Sequence, residues 1–261
     1  MRTKASALEA AVPGDLDEFR GFERELFEEL SKGFKKRLDW TTTHGDLPSV
    51  DQEDRFIYMG NHPHLTACWP WAAFLSEHFA HNMVAVGKDD FLKNPVYRWI
   101  LGGLMDRTGK GLFIDQSDRK AALKKIENRA HELLTPGTGM VIFPDRRPFP
   151  SRIREQQYKW DKKRPDLGVG QWMTETCFPH SGALWSLTQA TRDMDLRIMD
   201  VTTIEPMPIH STGATLHIEV EELTRKDLLG SNESLEHLNG ALQELWREKN
   251  RKIRKARGLK L

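Results

Sequence analysis

Long apolar runs, closely spaced cysteines and an excess of charge of either sign are all missing from this chain. Its longest apolar stretches, residues 65–75 and 97–105, fall short of the roughly 18 residues a membrane-crossing helix needs, so no span is predicted. Cysteine occurs twice, at Cys68 and Cys177. The two are far apart and lack the spacing of a metal knuckle, which predicts free thiols and a reducing compartment. The formal charge of +1 supplies no global field toward nucleic acid, and no recognised nucleic-acid-binding motif accompanies the local basic runs, so no nucleic-acid partner is expected. No repeat period or low-complexity tract is present, which removes solenoid architectures. Glu9, Asp15, Asp17 and Glu18 follow soon after Arg2 and Lys4, where a signal peptide would be apolar, so a cytoplasmic location is expected.

What is present is enough apolar material for a sizeable core: 38% hydrophobic residues in addition to 19 glycines over 261 residues. From residue 50 onward, strand and helix patterns alternate. Strands are predicted over 55–60, 83–87, 111–115 and 139–143, with helices over 66–79, 93–105 and 118–134. This order predicts an α/β fold with a mostly parallel central sheet flanked by helices. The nearly continuous apolar runs 83–86 and 140–143 are those of strands covered on both faces.

Ahead of this domain, residues 1–49 form an N-terminal segment with an amphipathic helix predicted over 16–40. Leu16, Phe19, Leu26, Phe27, Leu30, Phe34 and Leu38 recur at helical spacing, and Lys32, Lys35, Lys36 and Arg37 cluster near the end. Packing on the domain and lying on an anionic membrane surface are both open to such a helix. Within the domain of residues 50–261, a polar insert runs from about 145 to 176, with a helix expected near 153–163. A further helix over 183–191 and strands over 196–204 and 215–220 lead to a closing helix over 235–255. Its end carries Arg247, Lys249, Arg251, Lys252, Arg254, Lys255 and Arg257, a solvated terminus or a contact for anionic lipid. Tryptophans 69, 71, 99, 160, 172 and 185 suit core packing, with Trp69 and Trp71 the better candidates for a membrane interface.

The junction Phe56-Ile57-Tyr58-Met59-Gly60-Asn61-His62 runs a short apolar strand into a glycine and delivers a histidine at the strand's carboxyl end, where α/β sheets bind ligands. His62 is therefore the candidate general base. The carboxylate that would hold its tautomer is not among the following residues Leu65, Thr66, Ala67 and Cys68.

Asn61-His62, Gly111-Leu112-Phe113-Ile114-Asp115, Val141-Ile142-Phe143-Pro144-Asp145 and Phe178-Pro179-His180-Ser181-Gly182-Ala183 resemble, in order and near spacing, the four motif blocks of the glycerophospholipid acyltransferases. The likeness is to the lysophosphatidic acid acyltransferase branch. It extends over about residues 50–255 and includes the closing Leu245-Trp246-Arg247-Glu248-Lys249. It implies transfer of an acyl chain from acyl-CoA or acyl carrier protein, as donor substrate and with no bound cofactor or metal, to a lysophospholipid-type hydroxyl on the inner face of a membrane. On this resemblance His62 and Asp145 are the catalytic positions, and Arg119, Arg146, Arg147, His180 and Ser181 would bind substrate.

The departures fall on polar positions. The family's aspartate five residues after the histidine is Ala67 here, the arginine closing the second block is Gln116, and the third block reads Phe143-Pro144-Asp145-Arg146-Arg147-Pro148. A glutamine cannot reproduce an arginine's bidentate fork, so acceptor recognition would pass to Arg119, Arg146 and Arg147. Two outcomes follow: a divergent acyltransferase driven by His62, or a catalytically silent relative that keeps the lipid-facing surface and serves as a subunit or lipid-binding module.

Overall fold

The computed structural model describes residues 41–51, 53–62, 74–75, 77–79, 82–88, 111–114, 118–145, 150–205 and 215–259. The strands are β1 (Thr41–His44), β2 (Phe56–Gly60), β3 (Asn82–Lys88), β4 (Gly111–Ile114), β5 (Thr138–Ile142), β6 (Arg197–Ile204) and β7 (Thr215–Leu223). The helices whose full extent lies among the described residues are α1 (Arg119–Leu133), α2 (Pro150–Lys163), α3 (Val169–Trp172), α4 (Gly182–Ala190), α5 (Arg225–Leu229) and α6 (Leu235–Ala256).

All seven strands join one sheet in the order β1-β7-β6-β2-β5-β3-β4. Every neighbouring pair is parallel except β6 with β7. The fold is thus α/β with a mostly parallel sheet flanked by helices. β2 lies between β5 and β6, all five of its residues buried. Ile57 and Met59 join one cluster with Met140, Ile142 and Ile198, which is covered by Ile126 of α1, Leu184 and Leu187 of α4, and Leu242 and Trp246 of α6. Phe56 and Tyr58 face the opposite cluster with Val141, Met199, Val201, Leu216 and Ile218. Burial on both faces explains the lack of apolar alternation in β2 and β5. β7 does alternate, burying Leu216, Ile218 and Val220 with less buried residues between them.

Helix ends follow local chemistry. Asp118 caps α1 by accepting the Ala121 N–H at 3.0 Å. Thr224 and Asp227 form a reciprocal capping box at α5. At the amino end of the sheet, Arg197 ties three segments together. Its guanidinium reaches Asp54 Oδ2 at 2.5 Å, the Ser49 carbonyl at 2.8 Å and both oxygens of Glu222 at 2.8 and 2.6 Å.

Where residues are described, the strand and helix expectations from residue 55 onward agree to within a few residues, with α2 starting earlier and β7 ending later; of the helix expected over 66–79, only residues 74, 75 and 77–79 are described, and they are helical. Three of the elements named above were not anticipated: β1, α3 and α5, the two helices being only four and five residues long. β1 is a run of threonines without apolar alternation that pairs in parallel with β7 at the sheet edge, so the sheet reaches further toward the N-terminus than the alternation from residue 50 suggests. α5 is too short to show helical periodicity. The predicted helices over 16–40 and 93–105, and Trp69, Trp71 and Trp99, lie outside the described residues. Among the described residues no helix is long and apolar enough to cross a membrane.

β5 has glycine where it passes β2 because a Cβ at Gly139 would collide with the Tyr58 ring. Gly139→Ala should destabilise the protein by about 1–3 kcal/mol, the usual cost of overpacking, read as a lower urea midpoint with an unchanged slope. An unaltered midpoint would show that Tyr58 is free to move aside.

Candidate functional site

Because β2, β5 and β6 are mutually parallel through β2, their carboxyl ends emerge together. Asn61, the first residue past β2, is locked to β6: its Nδ2 donates to the Thr203 carbonyl at 3.0 Å and its Oδ1 accepts the Thr203 N–H at 2.8 Å. That two-way amide pairing continues the sheet by one side chain and fixes where the chain turns away. His62 follows, half-buried. Its main-chain N–H donates to Asp145 Oδ1 at 2.7 Å, and its ring lies 4.7 Å from that of Phe143. The Pro144 carbonyl then accepts the His180 N–H at 2.8 Å. Asn61-His62, Phe143-Pro144-Asp145 and Phe178-Pro179-His180 therefore meet at one corner, joined by one bond from a main-chain N–H to the Asp145 carboxylate and one main-chain bond.

Asp145 is 5% exposed. Burial pushes its carboxyl up to about 7, against the opposing pull of the Trp246 indole, the His62 N–H and the Lys249 ammonium. Its Oδ2 and the Trp246 Nε1 are both buried without a completed hydrogen bond. The carboxylate thus holds the backbone of His62 and does not bond its imidazole. This differs from the orienting role that the missing aspartate would play.

Beneath the corner lies α6. Its buried stripe Leu238, Leu242, Trp246, Lys249, Asn250 and Ile253 includes two polar residues. Lys249, 1% exposed, donates to Asp200 Oδ2 at 2.7 Å, Thr202 Oγ1 at 2.8 Å and the Val201 carbonyl at 3.1 Å. All three ammonium hydrogens have acceptors on β6, although burial still draws its pKa down against the pull of Asp200. Asn250 Oδ1 accepts the N–H groups of Thr174, Glu175 and Thr176 at 3.0, 2.7 and 3.1 Å. Its Nδ2 donates to Thr176 Oγ1 and to the Trp246 carbonyl, both at 2.7 Å. One asparagine thereby shapes the loop leading into Phe178-Pro179-His180.

Part of the basic end of α6 is directed at the protein as well, while Arg251 and Lys255 are exposed. Arg257 pairs with Glu175 at 2.5 Å, with Arg254 3.7 Å from the same carboxylate. Lys252 meets Glu219 and Arg251 meets Glu248. Arg247 binds Glu244 and the Leu167 carbonyl. Trp160 and Trp172 pack around Phe178, and Trp185 packs against the main core. The sequence reading missed Lys249 and Asn250 as supports of the site. The available signal was their register: counted from Leu242 at steps of 4, 7 and 8, they fall on the buried stripe with Trp246.

Of the other expected site residues, His180 is exposed and Ser181 half-buried at the amino end of α4. Arg119 opens α1, which follows β4 at the far edge of the sheet. Arg146, Arg147, Ala67, Asp115 and Gln116 lie outside the described residues. No group of three or more metal-ligating side chains occurs among the described residues.

No protein-family model and no curated protein matches the chain. Among solved structures, it is similar to the 1-acyl-sn-glycerophosphate (LPA) acyltransferase of Thermotoga maritima, with a TM-score of 0.54 over 95% of this chain and 86% of that one, at 14% identity. The two share a fold. That likeness spans the sheet, whose carboxyl end carries the His62 corner.

The Lys249–Asp200 pair should be strongly interdependent. Lys249→Met strands a buried carboxylate and should cost about 3–5 kcal/mol, whereas Lys249→Met combined with Asp200→Leu should recover most of that loss. Urea denaturation of the three proteins measures it, and additive losses would show that the pair does not act as a unit.

Proposed function

We propose that this protein is an acyltransferase that moves an acyl chain from a thioester, acyl-CoA or acyl carrier protein, to the hydroxyl of a lysophospholipid-type acceptor. The observation that carries this reading is the convergence of three of the motif segments at the carboxyl end of a sheet whose fold is that of an LPA acyltransferase. In the reaction, the His62 imidazole takes the acceptor hydroxyl's proton as the oxygen attacks the thioester carbonyl. The tetrahedral intermediate then collapses, and the departing thiolate recovers a proton from the imidazolium.

The roles of the chain's other residues differ accordingly. Asp145 and Asn61 position the His62 backbone, and Arg119, Arg146, Arg147, His180 and Ser181 are proposed to contact substrate. Position 67, where the family carries its orienting aspartate, is alanine, and Asp145 does not take over that role because it is bonded to the main-chain N–H. In the serine protease triad, loss of the orienting aspartate lowers turnover by about four orders of magnitude, so the Ala67 substitution is expected to slow the reaction. The acceptor and a lipid surface rich in anionic headgroups are the proposed partners, with the protein peripheral on the cytoplasmic side of a membrane.

Ala67 also favours a second reading: a catalytically silent relative that retains the lipid-binding surface as a subunit. An acyl-transfer assay with thioester donors and lysophospholipid acceptors separates the two. The enzyme reading predicts slow turnover that His62→Ala abolishes and Ala67→Asp raises by at least tenfold. No turnover in the native protein, together with turnover in Ala67→Asp, would instead identify the silent relative.

A further inference from the structure

The polar insert forms α2, and its inner face is committed to the motif corner. Gln156 Oε1 accepts the Phe178 N–H at 2.9 Å, Gln157 Nε2 donates to the Met173 carbonyl at 2.7 Å, and Trp160 stacks on Phe178 at 4.1 Å. Between α2 and the motif segment lies a small cleft lined by Arg152, Glu155, Gln156, Lys159, Trp160 and His180. Counted from Arg152, the helical residues fall at steps of 3, 4, 7 and 8, so one face of α2 supplies them all. His180 joins this cleft to the corner, since its N–H is bonded to the carbonyl just before Asp145.

The lining suits a headgroup rather than an acyl chain, because it is mostly polar and charged. It also holds both signs. Lys159 and Glu155 sit four residues apart, yet neither forms an ion pair among the described residues, and both are exposed. Their charges are available to a ligand. A phosphomonoester dianion would meet Glu155 as a repulsive neighbour, whereas a phosphodiester carrying an amine presents one negative and one positive charge to a lining that carries both. The amine should be primary. Phe178 already stacks on Trp160, and Lys163 Nζ lies 5.6 Å from the same ring's centroid, so no open aromatic face remains for a quaternary ammonium, while Glu155 can accept hydrogen bonds from a primary one.

We propose that this cleft seats the acceptor headgroup and that the headgroup is an aminoalkyl phosphodiester, its phosphate held by Arg152, Lys159 and His180 and its ammonium by Glu155. This identification of the acceptor class rests on the acyl-transfer reading, but binding in the cleft does not require turnover. The test is calorimetric titration of the full chain with glycerophosphoethanolamine, glycerophosphocholine and glycerol 3-phosphate.

Glycerophosphoethanolamine should bind most tightly. Glu155→Gln should weaken it by about tenfold while strengthening glycerol 3-phosphate, and Lys159→Ala should weaken all three. Both side chains are exposed, so these variants should fold. The proposal is overturned if glycerol 3-phosphate binds the native protein as well as glycerophosphoethanolamine does, if none of the three binds, or if Glu155→Gln leaves the ranking unchanged. Selective binding by a protein that fails the acyl-transfer assay would sink the enzyme reading and leave the cleft's specificity standing.

Discussion

The bond from the His62 main-chain N–H to Asp145 is the contact on which the site depends. A strand that ends in Gly60-Asn61-His62 has no intrinsic reason to hold one direction, since its last residues have left the sheet's hydrogen-bond ladder. Asn61 extends that ladder by pairing with Thr203, and Asp145 arrests the next residue by accepting its N–H at 2.7 Å. The imidazole is then carried by a fixed backbone and rests on Phe143. Burying the carboxyl that does this is costly, and its raised pKa near 7 records that cost.

The cost is borne by a helix remote in sequence. α6 places Trp246 and Lys249 beside Asp145, ties Lys249 to three acceptors on β6, and uses Asn250 to gather three consecutive N–H groups ahead of Phe178. The satisfied side chains of Lys249 and Asn250 specify one arrangement, because any shift of α6 would strand several of their partners at once. The cations that from sequence suggested a lipid-facing helix end are largely engaged in pairs with Glu175, Glu219 and Glu248. The cleft beneath α2, where Lys159 and Glu155 form no ion pair among the described residues, is the better place to look for ligand contact.

Much of the fold was legible because the strands and helices near the core carry strong patterns. β2 and β5 are continuous apolar runs, α1 has a capping aspartate, and α6 repeats its apolar residues over six turns. β1 was not legible, since a polar threonine edge strand shows no periodicity until its neighbour β7 is known. At the site, His62 and Asp145 stood out by position and residue type, but their actual relation did not. A sequence lists side chains, whereas the decisive contact runs from a side chain to a backbone N–H 83 residues away. Lys249 was read by its charge, when its place on the buried stripe was the more informative property.

The most direct test is the nuclear magnetic resonance signal of the His62 main-chain amide, followed from about pH 5 to about pH 9, in the native protein and in Asp145→Asn. An N–H held by a buried carboxylate should exchange slowly, and its proton should move downfield with a midpoint near pH 7 as Asp145 ionises and becomes the stronger acceptor. Asp145→Asn should abolish that titration. An amide that exchanges at the rate of an open loop, or whose pH response is the same in both proteins, would contradict the clamp.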